Sequence, residues 1–301
     1  MKKTLIYFVL ILSAVLWGAS YVMTKELFLT EPDITVPIII TFRLLSVVVV
    51  FMPLLLLTHK LQKIQKGDLK WFLILACIEP FSHNMLETGG VQLVSSSLSS
   101  IIIATCPVFI PFAMAAIYKE GLKANHILGV VLSVVGISIM LIGGDSAIDG
   151  SAKGILLLAG AVAMSVAYTL LISKIVGKYE PITVTMYQNA FGFLFYLPVI
   201  ALTSASKLPL LSWSPKMILL IAGLGIFCSM LAYACYNYGV QKVGATKASV
   251  FVNGIPVVTM IVAVLIGQET LSIWKALGMF VVIFGIVLAQ KSPKLHTTKE
   301  S

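Results

Sequence analysis

Long apolar runs separated by short polar breaks fill the chain from end to end. Crossing the hydrocarbon of a bilayer takes about 20 mainly apolar residues. Ten runs qualify, near 5–24, 36–57, 70–91, 96–118, 125–143, 154–173, 182–204, 216–238, 246–267 and 272–290. The pattern is also written twice. A shift of 149 positions lays Gly90-Val91-Gln92 on Gly239-Val240-Gln241, Pro107-Val108 on Pro256-Val257, Glu120 on Glu269, Gly129 on Gly278 and Gly136-Ile137 on Gly285-Ile286. Each copy reads as an apolar helix broken by proline, a polar hinge with one glutamate, and a second apolar helix with glycines seven residues apart. Duplicated halves of this kind in an apolar chain point to a membrane transporter built from two related bundles.

Five helices per half is an odd number, so the second half must cross the membrane in the opposite sense to the first. Loop charges agree with that. The turn Gln92 to Leu98 has no lysine, whereas its counterpart carries Lys242 and Lys247; the Lys119-Glu120 hinge through Lys123 is basic, and its counterpart Gly267 to Ser272 has no lysine. With a cytoplasmic N-terminus, fifteen lysines fall on the inner side and only Lys25, Lys153, Lys207, Lys216 and Lys275 on the outer, which predicts both termini inside. The expected fold is therefore all-α and integral to the membrane, with ten transmembrane helices as two inverted-topology five-helix repeats. The first repeat is placed at 1–145, an outer linker at 146–153, the second repeat at 154–291 and a polar cytoplasmic tail at 292–301.

Composition supports this class. The chain is 59% hydrophobic and only 11% charged, with mean hydropathy +1.02, against about 25% charged residues in soluble domains. The net charge of +9 resides in short loops, where lysines set orientation, so nucleic-acid binding is excluded. Cys77, Cys106, Cys228 and Cys235 all lie in apolar runs with no CxxC pair, and read as small buried hydrophobes. No cofactor and no metal are expected. The run after Met1-Lys2-Lys3 holds Trp17 and no clear cleavage site, and reads as a retained first helix.

The residues then narrow the resemblance. Leu16-Trp17-Gly18-Ala19-Ser20, Arg43, Ser95-Ser96-Ser97 through Ala104-Thr105-Cys106-Pro107, the Lys119-Glu120 hinge, Gly129 and Gly136, echoed at Pro256, Glu269, Gly278 and Gly285, resemble the EamA family of the drug/metabolite transporter superfamily. The resemblance covers essentially the whole chain as two copies of the family unit. It implies ten helices, inverted repeats and movement of small metabolites, often export of amino acids or related compounds; the compact chain is expected in a bacterial inner membrane. The resemblance also favours helices one, three, four, six, eight and nine as cavity walls, which includes Trp17, Tyr168 and the third helix. The second half has no counterpart of Trp17-Gly18 and no second arginine.

Ionisable groups inside spans are costly and mark function by default. Arg43, the only arginine, lies about 10 Å below the outer surface at 1.5 Å per residue. Glu79, His83 and Glu87 recur every four residues and so share one helix face, with Asn84 beside them. Two readings stand. Arg43 pairs with Glu79 or Glu87 and holds helices two and three together; or one carboxylate exchanges protons and couples cargo to a proton gradient. Pro80, Pro107 and Pro256 are candidate hinges, since a proline within a helix frees the carbonyl four residues back, here on Ile103 and Val252 for the repeated pair. Gln188, Tyr233, Tyr236, Asn237 and Asn253 offer aromatic surface and amides for an uncharged or zwitterionic solute, although tyrosines near helix ends also serve as interfacial anchors. The glycine pairs read as close-packing positions, with a homodimer contact as the alternative. Glu120 and Glu269 are expected to cap the helices that follow them. The expected partners are a small-molecule substrate and the lipid bilayer. Two competing classes stand: a membrane-embedded enzyme, for which no HExxH or GxSxG motif supplies the chemistry, and a non-transporting structural or regulatory membrane protein on the same scaffold.

Overall fold

A computed structural model of the chain describes residues 3–118, 124–142, 151–244 and 248–290. The Lys119-Glu120 hinge, Lys123, residues 143–150 of the linker region, Lys247 and the tail beyond Gln290 lie outside the described residues. Every regular element among those described is helical: α1 (Lys3–Thr30), α2 (Val36–Leu57), α3 (Leu69–Ala76), a π-helical stretch (Cys77–Ser82), α4 (His83–Leu93), α5 (Ser96–Ile103), α6 (Cys106–Tyr118), α7 (Ala124–Ile142), α8 (Ala152–Val176), α9 (Pro181–Thr203), a short 3-10 turn (Ala205–Leu210), α10 (Pro215–Gly223), a second π-helical stretch (Leu224–Leu231), α11 (Ala232–Val243), a 3-10 turn (Val250–Gly254), α12 (Ile255–Leu265) and α13 (Ile273–Gln290). Among the described residues seven helical stretches are long and apolar enough to cross a membrane, and Val250–Leu265 and Ile273–Ala289 are shorter apolar helices. The chain is a multi-pass α-helical membrane protein.

Local sequence explains where these helices begin. Ser95, Ser151 and Ser214 accept from the backbone N–H groups of Leu98, Gly154 and Met217 at 3.3, 3.2 and 3.2 Å, the N-cap arrangement that satisfies otherwise orphaned donors. Proline opens α2, α9 and α10, where a missing N–H costs nothing.

The glycines read as packing positions are used within the chain. A Cβ on Gly136 would stand 2.6 Å from the carbonyl oxygen of Gly278, and one on Gly278 would stand 2.5 Å from that of Gly136. Gly129 and Gly285 face each other in the same reciprocal way. Backbone therefore meets backbone where α7 crosses α13, and the two sequence copies are joined there. The remaining faces of these helices are apolar and exposed, at Leu128, Val131 and Val135 on α7 and Leu277, Phe280 and Phe284 on α13, as a lipid-facing surface requires.

Two loop contacts also pair the halves. Lys207 Nζ lies 2.6 Å from Asp33 Oδ1, joining the α1–α2 loop to the segment after α9. At the other contact Lys178 Nζ and Tyr179 OH donate to the two oxygens of Asp68 at 3.1 and 2.9 Å, joining the α8–α9 turn to the segment before α3. These bonds, Lys178 first, hold the Asp68 carboxyl below its ordinary range.

Glu269 departs from the expected role. Its carboxylate accepts from Ser97 N at 2.9 Å and pairs with Lys275 at 3.0 Å, so it caps the start of α5 in the other half; Ser272 accepts from Lys275 N at 3.2 Å and takes the cap of α13. The α5 N-terminus presents its free N–H groups to the α12–α13 hinge, and that contact prevails over the local one.

Candidate functional site

The site begins where a helix is interrupted. Glu79 has φ −140° and ψ 117° inside the Cys77–Ser82 stretch, and its peptide bond to Pro80 is cis. Pro80 cannot donate, and the carbonyls exposed by the irregular turn find side-chain partners: Gln188 Nε2 donates to Glu79 O at 3.2 Å and Tyr196 OH to Phe81 O at 2.6 Å. The second half unwinds at the equivalent place, Leu224–Leu231, without a proline. Here Trp17 Nε1 donates to Cys228 O at 3.2 Å and Asn189 Nδ2 to Ser229 O at 3.3 Å.

A cavity opens beside the first of these stretches. Its walls come from both halves: Trp17, Ser20 and Tyr21 of α1, Arg43 of α2, Glu79, His83 and Glu87, then Ile103 and Cys106, Ser165, Tyr168 and Thr169 of α8, Tyr233 and Tyr236 of α11, and Val252 and Ile255. The Glu79, His83 and Glu87 stripe thus faces one space. Ile103 and Val252, the residues four positions before the repeated prolines, both line it, and the chain departs from α-helix beside each: α5 ends at Ile103 and α6 begins at Cys106, while a 3-10 turn precedes α12.

Charged and aromatic groups divide the walls. His83 Nδ1 lies 2.7 Å from Glu79 Oε2, and Tyr233 OH donates to Glu79 Oε1 at 2.7 Å. Tyr21 OH donates to Glu87 Oε1 at 2.5 Å. Arg43 does not pair with either acid. Its Nε donates to Ser229 Oγ, while its carbonyl accepts from Ser46 Oγ at 2.7 Å. Gly225 lets this part of α2 approach the second π-helical stretch, since a Cβ there would lie 2.3 Å from Arg43 O. The expected link from Arg43 to helix three is therefore replaced by one to the other half. Trp17 meets Tyr233 edge-on at 4.9 Å and Tyr236 at 5.2 Å between ring centroids. His83 Nε2 is buried without a hydrogen-bond partner among the described residues.

The other candidate residues sit behind the walls. Tyr168 OH donates to Asn237 Oδ1 at 3.1 Å and to Gln188 Oε1 at 3.4 Å, and Asn237 Nδ2 donates to Thr185 Oγ1 at 3.1 Å. Asn237 and Gln188 thus position Tyr168 and stand outside the main cavity. Asn84, Gln188, Glu79, Pro80 and Tyr233 share a second, smaller space with Thr185, Asn189 and Ser229. Asn253 is buried within its 3-10 turn, while its neighbour Val252 forms the wall. Tyr236, for which interfacial anchoring stood as an alternative, is buried on the cavity. Sequence reasoning passed over Tyr21, Ser20, Ser165 and Thr169 as wall residues; the four-residue spacing of Trp17 and Tyr21 is the signal that places both on one face of α1.

One turn beyond Tyr21 a polar lattice ties the elements together. Lys25 Nζ donates to the carbonyls of Val91, Gln92 and Val94 at 3.1, 3.2 and 2.8 Å. Gln268 bonds Val22 O and Glu26 at 3.2 Å each and accepts from Ser96 Oγ at 2.8 Å. Thr259 Oγ1 donates to Gly18 O at 2.9 Å. These bonds join α1, the C-terminal end of α4, the start of α5, α12 and the segment that follows it.

Comparison with known proteins meets this geometry with a consistent class. The family profile described as the EamA-like transporter family matches residues 4–142 and again 152–290. Among similar proteins, the uncharacterized transporter YyaM of Bacillus subtilis strain 168 is 24% identical over 100% of this chain and 99% of its own length. The uncharacterized inner membrane transporter YedA of Escherichia coli K12 is 24% identical over 95% of this chain and 90% of its own. An uncharacterized transporter of Archaeoglobus fulgidus is 27% identical over 68% and 71% of the respective lengths. A solved crystal structure superposes with a TM-score of 0.66 at 14% identity, over 94% of this chain and 95% of that one, which bears on the fold alone.

Proposed function

The chain belongs to the EamA-like transporter family, and on that premise we propose that it is a secondary transporter that moves small metabolites, amino acids or related polar and amphipathic solutes, across the inner membrane by alternating access. The single observation that carries this reading is the cavity itself, a polar and aromatic space whose walls are drawn from both sequence copies and along which each copy leaves α-helix, at Glu79 and after Ile103 in the first and at Val252 in the second. Interrupted helices at the interface of two repeats are where substrate sites of such transporters form. Ten helices in two inverted halves, with both termini cytoplasmic, follow from the 149-residue repeat and the lysine distribution. Export is the direction that the family suggests.

In this account the Lys25 and Gln268 lattice is the outer gate, and Pro107 and Pro256 are the paired bends about which the halves exchange closure. Glu79 is the coupling carboxylate: it faces the cavity and is held by His83 and Tyr233, so a proton taken up there changes the charge of the cavity. The cargo leaves chemically unchanged. The test is a thermal-stability screen of the purified protein against amino acids, nucleobases and cationic dyes, because a ligand that binds only the folded state raises the unfolding temperature. A stabilising solute whose effect vanishes in Tyr233→Ala supports the reading; a flat profile from folded protein across the library contradicts it.

A further inference from the structure

Arg43 is the wall residue that the transport reading leaves without a task. It is 4% exposed, and it is the only arginine in the protein. Among the described residues no carboxylate forms an ion pair with it; Glu79 is engaged by His83 and Tyr233, and Glu87 by Tyr21. A guanidinium stays charged at any accessible pH, and a buried charge without a counter-ion is costly. With Nε committed to Ser229, the two terminal nitrogens remain, a planar fork that matches the two oxygens of a carboxylate. Glu87 presents the opposite charge in the same cavity, and among the described residues its one hydrogen bond comes from Tyr21.

We propose that Arg43 binds the carboxylate of the cargo and Glu87 its ammonium group, so that zwitterions enter the cavity in one fixed orientation. A single carboxylate suits the site, since further negative charge on the cargo would meet Glu79 and Glu87. The aromatic wall of Trp17, Tyr233 and Tyr236 then receives the rest of the solute. This assignment rests on the transport reading, and it names the residues that determine specificity within it.

The experiment is counterflow into proteoliposomes with three forms of one compound, in sets built on phenylalanine, leucine and serine: the free amino acid, its primary amide and its N-acetyl derivative. The wild type is expected to prefer the free amino acid over both derivatives by about 10- to 100-fold, the scale of one hydrogen bond to a charged group. Arg43→Gln should erase the preference over the amide and keep that over the N-acetyl form, and Glu87→Gln should do the reverse. Should Arg43→Gln not fold, Ser229→Ala keeps the charge but loosens its hold, and should raise KM for the amino acid while leaving that for the amide unchanged. Equal transport of amide and amino acid by the wild type, or parallel losses in the two charge variants, overturns the assignment and leaves transport standing. Failure of the folded wild type to move any of the nine compounds overturns the transport reading and this assignment with it.

Discussion

His83 Nδ1 stands 2.7 Å from Glu79 Oε2, one turn apart on an interrupted helix, and the second oxygen of the same carboxylate receives the hydroxyl of Tyr233. Glu79 thus links the titratable stripe of the first half to the aromatic wall of the second. Glu79→Gln keeps the size and removes the proton site. Gradient-driven transport should be lost while exchange of cargo persists, as read in proteoliposomes with and without an imposed pH difference. Retention of gradient-driven transport in the variant would remove Glu79 from coupling.

Tyr233→Phe isolates the other half of this link. The ring keeps its edge contact with Trp17, but Glu79 loses a donor, which for a charged acceptor is worth about 1.5–3 kcal/mol. The variant should therefore unfold at a lower temperature in detergent, and exchange by the folded protein should fall at least about tenfold. An unaltered rate would show that the hydroxyl has no part in the transport cycle.

The crossing of α7 and α13 makes a prediction about stability. Gly136→Ala forces a methyl against the backbone of α13, where the nearest carbonyl oxygen would be 2.6 Å away; overpacking of this kind costs about 1–3 kcal/mol. Gly177→Ala, where no atom lies within 4 Å of the added methyl, serves as the control. Thermal unfolding should drop for the first and hold for the second, and equal curves would argue against the close crossing.

Asp68 predicts a pH dependence with a definite sign. Its carboxyl is held below the ordinary range by Lys178 and then Tyr179, so the stability it contributes is present above the unfolded pKa, about 4. That contribution is lost as pH falls through the lowered folded value. Asp68→Asn should unfold at a lower temperature than wild type at neutral pH, with the gap narrowing in acid. A gap that does not depend on pH would assign the loss to something other than this charge.

Pro107 and Pro256 should act as a pair. Replacing either with alanine restores a backbone donor beside a break and should bias the cavity toward one face. Thiol labelling of a cysteine placed at Ser165, with membrane-impermeant reagent applied to each side in turn, reads this bias; unchanged labelling from both sides in both variants would leave the prolines as packing features.

Much of this architecture is legible in the residues because it depends on local periodicity. The four-residue spacing of Glu79, His83 and Glu87, the repeated prolines and the glycines seven apart each place side chains on one face without knowledge of the neighbour. What depends on the neighbour is not legible in the same way. Arg43 and Glu79 line the same cavity, yet Gly225 brings the second π-helical stretch against α2 and gives Arg43 to Ser229. That stretch carries no proline, so nothing local announces it. Glu269 looks like a cap for its own following helix, but the start of α5 reaches it first. Asn237 has the chemistry of a ligand group and is spent on orienting Tyr168.

The most direct test of the central claim is accumulating counterflow of labelled amino acids into proteoliposomes preloaded with the same unlabelled compound. The account predicts saturable, transient uptake above the equilibrium level for at least one amino acid, absent in Tyr233→Ala. Uptake no greater than in protein-free vesicles for every amino acid, from protein shown to be folded, would contradict it.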